Sequence, residues 1–227
     1  NTGSRAFDSI VFNKLLAKLA HCGISGNLLK FISTFIHNRE QCVVLDNCFS
    51  SVTNVLSGVP QGSVLGPVLF LIFINDVSSI CIGESMLKLF ADDVKLYSSY
   101  NVNVTNCVNL QLSIDLLSSW AKSWQLCINI SKCSVLSIHH NSKSFIHHPY
   151  YLNGIQLSNT SSVTDLGVLV DSRLTFNLHI SNILTKATQR VGVFFRGFSS
   201  RHLDLMKKVF ITYIRPSLEF NSNIWNP

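Results

Sequence analysis

Residues 90–93 read Phe90-Ala91-Asp92-Asp93, and these four residues are the most informative about the fold. Apolar residues lie just upstream of them, and an alternating apolar pattern continues just downstream. Two β-type segments joined by so short a link predict a hairpin with both carboxylates at its tip. Like charges held that close repel each other unless a cation lies between them, and a divalent metal is the usual cation. The pair therefore indicates phosphoryl-transfer chemistry, although a solvated surface turn is the commoner origin of two adjacent aspartates.

A second informative stretch, Gly58-Val59-Pro60-Gln61-Gly62-Ser63, lies upstream and leads into the apolar run 64–74. Its glycines and proline predict a loop whose backbone can lie against a ligand. Ser63 is the predicted N-cap of the helix that follows, with Pro67 near the first turn. A turn into a buried helix explains this stretch as structure, but it does not explain the glycines on both sides of Gln61.

Together the two stretches resemble motifs B and C of reverse transcriptases, specifically those of non-LTR (LINE-type) retrotransposons. Their order and spacing are similar to those of the family, and the resemblance covers essentially the whole chain. Further similar segments are Ser4-Arg5-Ala6-Phe7-Asp8 for motif A; Trp124-Gln125-Leu126, Ile128-Asn129 and Lys132-Cys133 for motif D; Asp165-Leu166-Gly167-Val168, Asp171, Leu174-Thr175-Phe176 and His179-Ile180 for the primer grip; and 213–220 with 224–227 for the thumb.

The pattern of helices and antiparallel strands predicts an α+β layer fold. The resemblance implies a right-hand polymerase palm, an antiparallel sheet with helices on one face, in residues 1–171. It also implies a helical thumb in residues 172–227. We expect the fingers, which precede motif A in the family, to be absent.

The catalytic roles follow from the resemblance. Asp92 and Asp93 would be catalytic residues and ligands of Mg²⁺, with Mn²⁺ as an alternative metal. Lys132 matches the motif D lysine that is suggested to protonate the leaving pyrophosphate, whereas without the resemblance it is an ordinary exposed lysine. Leu166 and Gly167 would lie at the primer terminus as part of the primer grip.

The resemblance also implies the substrate contacts, and dNTPs as the substrates. Arg5 and Ala6 would line the triphosphate through their backbone. Phe7 falls where an aromatic ring excludes a ribose 2′-hydroxyl, although a core phenylalanine is the alternative. Gln61 would touch the incoming sugar or the templating pair, and Gly62 would allow close approach.

A basic segment lies between residues 175 and 215, where seven lysines and arginines stand against one acidic residue, Asp204. Such an excess suits the backbone of a nucleic acid, and a solvated helix face is the alternative. The resemblance implies an RNA template and a DNA primer as partners. The predicted contacts to their backbone are Lys186, Arg190, Arg196, Arg201, Lys207 and Lys208.

The composition limits the class of protein. Hydrophobic residues make up 47% of the chain and charged residues 13%, which indicates a globular protein and not a disordered tail. The longest apolar run, 64–74, is too short to span a bilayer, and no secretory signal opens the sequence, so we expect no membrane partner. Seven cysteines without a Cys-x-x-Cys pair predict reduced thiols and a cytoplasmic or nuclear location.

One departure from the family bears on activity. Its motif A carries a metal-binding aspartate five residues before the aromatic residue, and counting back from Phe7 reaches the neutral Thr2. Asp8 follows the aromatic residue and is expected to point the other way along a strand. We therefore expect a reverse transcriptase fragment that is catalytically silent. The alternatives are a competent polymerase whose sequence was cut or misread at its start, and a non-catalytic nucleic-acid-binding or interaction module that uses 175–215.

Overall fold

A computed structural model describes residues 6–99, 104–139 and 148–226. The chain divides into two compact units. Unit 1 is Asn1–Cys133 with His148–Leu157, and unit 2 is Ser134–His147 with Ser158–Pro227. The units are defined by packing, so the strands between 158 and 171 group with the helices that follow them. The predicted boundary between palm and thumb at residue 171 concerns function and not packing, and it stays a prediction.

Helices and strands are mixed along the chain, as predicted. The helices are α1 (Phe12–His21), α2 (Gly26–Ile36), α3 (Leu65–Ile74), α4 (Val104–Trp124), α5 (Asn177–Gly197), α6 (Leu203–Val209), α7 (Arg215–Glu219) and α8 (Ser222–Trp225). The strands are β1 (Glu40–Gln41), β2 (Val44–Leu45), β3 (Cys48–Phe49), β4 (Thr53–Asn54), β5 (Met86–Phe90), β6 (Asp93–Tyr97), β7 (Ser134–Leu136), β8 (Tyr151–Leu152), β9 (Ile155–Gln156), β10 (Ser158–Thr160), β11 (Ser162–Asp165) and β12 (Val168–Asp171).

The core of unit 1 lies between α1, α2 and α3. Helix α1 turns Leu15 and Leu19 inward, as its sequence pattern predicts, and it ends where Gly23 takes a φ of +86°. The spacing of apolar residues in α2 predicts that its inward face consists of Leu28, Phe31, Ile32 and Phe35. That prediction is partly wrong, because Phe31 is 57% exposed while Ile36 is fully buried. The buried core residues are Ile10, Phe12, Leu15, Leu19, Ile32, Ile36, Val59, Leu69, Phe70, Phe73 and Ile74.

A buried lysine joins the helices of unit 1. The Lys18 amine, on α1, donates hydrogen bonds to the Phe73 carbonyl oxygen and, at 2.6 Å, to the Asp76 carboxylate. Its nitrogen lies 3.8 Å from the ring centroid of Trp124 and 4.8 Å from that of Trp120, both on α4. Burial lowers the pKa of Lys18, and Asp76 opposes that effect. The sequence pattern gave no sign of this lysine's burial.

The strands do not form the single antiparallel sheet that was predicted. In the described part of the chain they make separate two-stranded ladders, of which β7–β10 is parallel. One reason lies in the motif A segment, because residues 6–8 form a turn and not a strand. Its backbone bonds to the loop before α3 instead, since the Val59 N–H donates to the Phe7 carbonyl oxygen at 2.9 Å. It therefore does not extend the β5–β6 hairpin.

Unit 2 joins a hairpin to a helix. The sequence of residues 163–170 predicts one strand, but β11 and β12 form a hairpin whose turn is Leu166-Gly167, with φ of +45° and +89°. The Asp171 carboxylate, at the end of β12, accepts the Phe176 N–H at 2.8 Å just before α5 begins. The Leu169 N–H, on β12, donates to Nδ1 of the buried His179 on α5 at 3.2 Å. These contacts give a structural reason for residues that the sequence singled out as a motif.

No helix among the described residues is both long and apolar enough to cross a membrane. All seven cysteines are free thiols in the structure.

Candidate active site

The two predicted metal-binding aspartates lie at a hairpin turn, as expected. Phe90 on β5 pairs with Asp93 on β6, which leaves Ala91 and Asp92 as a two-residue loop. Ala91 takes a φ of +50°, a value that tight hairpin loops demand. Asp92 is therefore in the loop and Asp93 is the first residue of the returning strand. Both side chains are half-buried.

A cleft of about 300 Å³ opens beside this hairpin in unit 1. It brings together Phe7, Gln61 and Asp92, which are far apart in sequence and which were expected to converge. The complete lining is Phe7, Pro60, Gln61, Gly62, Gly66, Pro67 and Asp92. A smaller apolar cavity of about 50 Å³ also reaches Asp92, and Ala6 lines that cavity and not the cleft.

The wall of the cleft depends on a close contact between residues 7–10 and the loop before α3. The Gly58 N–H donates to the Ile10 carbonyl oxygen at 2.8 Å, and the Ser57 hydroxyl donates to the Asp8 carbonyl oxygen at 2.7 Å. A Cβ on Gly58 would lie 2.6 Å from the Cα of Asp8, and its φ is +87°. Only glycine can adopt this positive φ at so short a distance from Asp8 without displacing the backbone.

The second half of the same loop is fixed by the start of α3. The Ser63 hydroxyl donates to the Pro60 carbonyl oxygen at 2.7 Å and accepts the Gly66 N–H at 2.9 Å. Ser63 thus satisfies an otherwise unpaired N–H of the first turn, which is the capping role that was predicted, although α3 begins only at Leu65. Between these anchors Gly62 takes a φ of +79°, so Gln61 sits at the tip of a constrained turn.

Asp8 does not behave as the sequence pattern suggested. Its predicted direction assumed a strand, in which neighbouring side chains point to opposite faces. In the turn that forms instead, the Phe7 ring stacks on Phe70 with centroids 4.1 Å apart. The Asp8 carboxylate accepts a hydrogen bond of 2.7 Å from Nε2 of Gln61. Phe7 therefore lines the cleft, and Asp8 bonds to Gln61, which is another lining residue.

With this geometry in view, the similarities to known proteins are informative. Residues 4–170 match the family described as "Reverse transcriptase (RNA-dependent DNA polymerase)". The RNA-directed DNA polymerase from mobile element jockey of Drosophila funebris is 30% identical over 230 residues, which cover 97% of this chain and 25% of that protein. The probable RNA-directed DNA polymerase from transposon X-element of Drosophila melanogaster is 30% identical over 200 residues, covering 86% and 22%.

The chain belongs to the reverse transcriptases of non-LTR (LINE-type) retrotransposons. It spans about a quarter of the length of the curated relatives it matches. The recognition of the family from its motifs is thereby confirmed.

Polymerases of this family generally use divalent metal ions, and the donors near the cleft fit such an ion in part. Both Asp92 and Asp93 carry carboxylate oxygens, the ligands that Mg²⁺ and Mn²⁺ prefer, but only Asp92 lines the cleft. Across the ranges that the structure describes, however, no three His, Cys, Asp or Glu side chains are grouped as metal ligands. Thr2, at the position of the family's third carboxylate, lies outside the described residues, as does Arg5.

Two predicted groups of this reverse transcriptase are not among the residues that line the cleft. Lys132 is exposed at the end of a 3₁₀ turn over Ile130–Lys132 in unit 1 and does not line the cleft. Leu166 and Gly167 form the hairpin turn of unit 2, where a Cβ on Gly167 would lie 3.0 Å from the Phe220 ring. Their catalytic and primer-grip roles remain predictions.

The predicted nucleic-acid contacts of the reverse transcriptase are all exposed in unit 2, but not all are equally available. A guanidinium nitrogen of Arg190 donates to the Tyr213 carbonyl oxygen at 2.9 Å, and one of Arg201 donates to the Phe195 carbonyl oxygen at 2.6 Å. The remaining four make no hydrogen bond or ion pair with other described residues. They are Lys186, Arg196, Lys207 and Lys208.

Sequence reasoning missed the part that Asp8 plays at the cleft. The available signal was the loop sequence from Gly58 to Gly62, whose glycines indicate a close approach of another backbone segment. The identity of that segment, and hence the partner of Asp8, depends on long-range contacts that no local pattern encodes.

Proposed function

We propose that this chain forms the palm of an RNA-directed DNA polymerase and that the cleft in unit 1 receives the incoming dNTP. The observation that supports the proposal is the convergence of Phe7, Gln61 and Asp92, from three separate family motifs, on one cleft. The stacking of Phe7 on Phe70 holds its ring at the cleft border, where it would exclude a 2′-hydroxyl. Gly62 leaves room for the nucleotide because no atom lies within 4 Å of its missing side chain.

Asp92 and Asp93 would hold the divalent ion of this site. The ion would neutralise charge on the triphosphate, which is the main requirement of phosphoryl transfer. The other contributions belong to the protein: Phe7 selects the sugar, and Gln61 contacts the nucleotide beside it.

We propose further that the 227-residue chain binds dNTPs but does not extend a primer. Thr2 cannot supply the third carboxylate of the metal site, so charge on the reacting phosphate is less well neutralised. Clear incorporation of dNTPs on a primed RNA or DNA template, lost on Asp92→Ala, would overturn this and would support a competent polymerase.

The basic segment of unit 2 supports a role in holding the RNA template and DNA primer, as a thumb does. The four cations without partners among the described residues favour this role. A non-catalytic binding module that uses the same segment is the second candidate function. The seven free thiols favour a cytoplasmic or nuclear site of action.

Nucleotide selectivity tests the proposed site. Equilibrium titration of the chain with dATP and with ATP, both in the presence of Mn²⁺, should give tighter binding of dATP. Phe7→Ala should remove that preference because nothing then opposes the 2′-hydroxyl. Phe49→Ala is the matched control, since Phe49 is 73% exposed on β3 and lies outside the cleft lining. Equal binding of both nucleotides by the unchanged chain would contradict the assignment of Phe7.

A further inference from the structure

The side-chain amide of Gln61 has a defined direction. Its Nε2 donates to Oδ1 of Asp8 at 2.7 Å. A carboxylate only accepts hydrogen bonds, so the NH₂ group of the amide, and not its carbonyl oxygen, must face Asp8. Within the described residues the carbonyl oxygen of Gln61 has no hydrogen-bond partner. Gln61 is exposed and lines the cleft.

Asp8 is well placed to hold that direction because its own backbone is fixed. Its carbonyl oxygen accepts the Ser57 hydroxyl, and the flanking residues Phe7 and Ile10 accept backbone N–H groups from Val59 and Gly58. The carboxylate thus projects from a segment bound to the same loop that carries Gln61. Because the two backbone segments are bound to each other, the Gln61 amide and the Asp8 carboxylate are held close together.

This inference rests on the proposed nucleotide site. We propose that Asp8 is a positioning residue that turns the side-chain carbonyl oxygen of Gln61 toward the cleft. Because this oxygen accepts hydrogen bonds, the ligand group that it would bind is a hydrogen-bond donor. On a dNTP the donor is either a sugar hydroxyl or a base N–H. With the amide reversed, the cleft would offer NH₂ protons to that donor, and the hydrogen bond would be lost.

The chain contains a matched pair that serves as a control. On α4, Nε2 of Gln111 donates to Oδ1 of Asp115 at 2.9 Å, and neither residue lines the cleft. Asp115→Ala therefore removes the same charge and the same kind of hydrogen bond as Asp8→Ala, at a distance from the proposed site. Thermal melting of both variants checks that each remains folded.

The first test needs no ligand. In NMR spectra of the full chain, the two side-chain NH₂ protons of Gln61 should be well separated, because one of them is bound to a carboxylate. Asp8→Ala should collapse that separation toward the value for the exposed Gln41, while Asp115→Ala should leave Gln61 unchanged. A Gln61 signal that does not respond to Asp8→Ala would overturn the proposal.

The second test measures Mn²⁺-dependent binding of dTTP and of its 2′,3′-dideoxy analogue. Asp8→Ala should weaken dTTP binding about three- to tenfold, the effect of one hydrogen bond, and Asp115→Ala should not. A loss confined to dTTP identifies the sugar hydroxyl as the donor, and an equal loss for both nucleotides identifies a base N–H. Unchanged affinity for both would overturn the proposal.

The two tests separate this inference from the proposed function. If the unchanged chain bound no nucleotide, the proposed site would fail. The Gln61 signal would still decide whether Asp8 orients the amide.

Discussion

At the scale of single residues, Lys18 shows how a charge can be kept inside a core. Taking an ammonium group out of water is costly, and that cost is offset only if the charge is paired and its hydrogens are bonded. Here Asp76 supplies the opposite charge, the Phe73 carbonyl oxygen accepts a second hydrogen bond, and the Trp124 ring covers the cation. The Lys18 side chain is 8% exposed, whereas that of Asp76 is 49% exposed. Water therefore solvates one end of the pair.

Replacing this lysine should destabilise unit 1. Lys18→Met keeps the length of the side chain but leaves the Phe73 carbonyl oxygen without its donor, so we expect the free energy of unfolding to fall by about 1–3 kcal/mol. Lys14→Met is the control, because that amine bonds to the Ser123 carbonyl oxygen in an exposed position, and at most about 1 kcal/mol should be lost. Urea denaturation measures both. Equal losses would mean that burial gives Lys18 no special role.

The sequence could place the residues that line the cleft, but it could not place Asp8, which bonds to one of them. The Asp92-Asp93 hairpin follows from local chemistry, since a two-residue link between alternating segments leaves few other structures. Gln61 could be placed through the family resemblance and the glycines around it. The direction of Asp8 could not be predicted, because it depends on whether residues 6–8 pair as a strand or turn toward the loop at Gly58.

At the scale of elements, Asp171 connects a strand to the helix that follows. Its carboxylate accepts N–H groups of Arg173, Thr175 and Phe176, and also the Thr175 hydroxyl. Burial would raise the pKa of Asp171, but the hydrogen bonds from Thr175, Arg173 and Phe176 outweigh it and lower the pKa below the ordinary 3.8. The folded state thus favours the ionised carboxylate and a fixed path from β12 into α5.

The stability that Asp171 supplies should depend on pH. A carboxyl whose pKa is lowered by folding stabilises the protein fully above its unfolded pKa, and the effect is lost as the pH falls through the folded value. At pH 7, Asp171→Ala should lower the free energy of unfolding by about 1–3 kcal/mol, and the difference should vanish well below pH 3.8.

Denaturation of both proteins between pH 2 and 7 measures this dependence. Asp204→Ala is the control, because that side chain is 74% exposed and should contribute roughly a few tenths of a kcal/mol. A difference for Asp171→Ala that stays constant down to the lowest pH would refute the role of the ionised carboxylate.

The sequence patterns predicted the positions of most helices. They were less successful in predicting which face of each helix is buried. The sequence from residue 110 to 124 predicts a helix with Leu112, Leu116 and Leu117 on its apolar side. In the structure, however, Leu112 and Leu116 are 43% and 41% exposed. The buried face carries Ser113, whose hydroxyl accepts the Ile82 N–H at 3.0 Å, and Ser118, whose hydroxyl donates to Asn153. A polar residue can be buried when such a partner exists. The partners come from distant parts of the chain, so the apolar pattern of α4 alone points to the wrong side.

At the scale of the whole molecule, positive charge is concentrated in unit 2. The excess of cations between residues 175 and 215 equals the net charge of +6 of the entire chain. A row of exposed lysines and arginines contacts mainly the phosphates of a nucleic acid, so any binding by this segment should be weak and without sequence preference.

The salt dependence of nucleic-acid binding measures how many of these cations contact phosphates. Each neutralised phosphate adds about 0.7–0.9 to the log–log slope, so the four available cations predict a slope of roughly −2.8 to −3.6. Reversing Lys207 and Lys208 to glutamate should flatten the slope and weaken binding for every sequence tested. Reversing Lys30 and Lys122, both exposed in unit 1, changes the net charge equally and should leave the slope unchanged. An affinity that does not change with salt concentration would indicate that the segment is a solvated helix face.

We propose above all that the cleft beside the Asp92 hairpin is a metal-dependent nucleotide site. A crystal structure of the chain with Mn²⁺ and dTTP tests it most directly, because the anomalous signal of manganese locates the ion independently of the protein. We predict a peak within bonding distance of Asp92 and Asp93, and a triphosphate in the cleft bordered by Phe7 and Gln61. Manganese and nucleotide bound together away from these residues would contradict the claim.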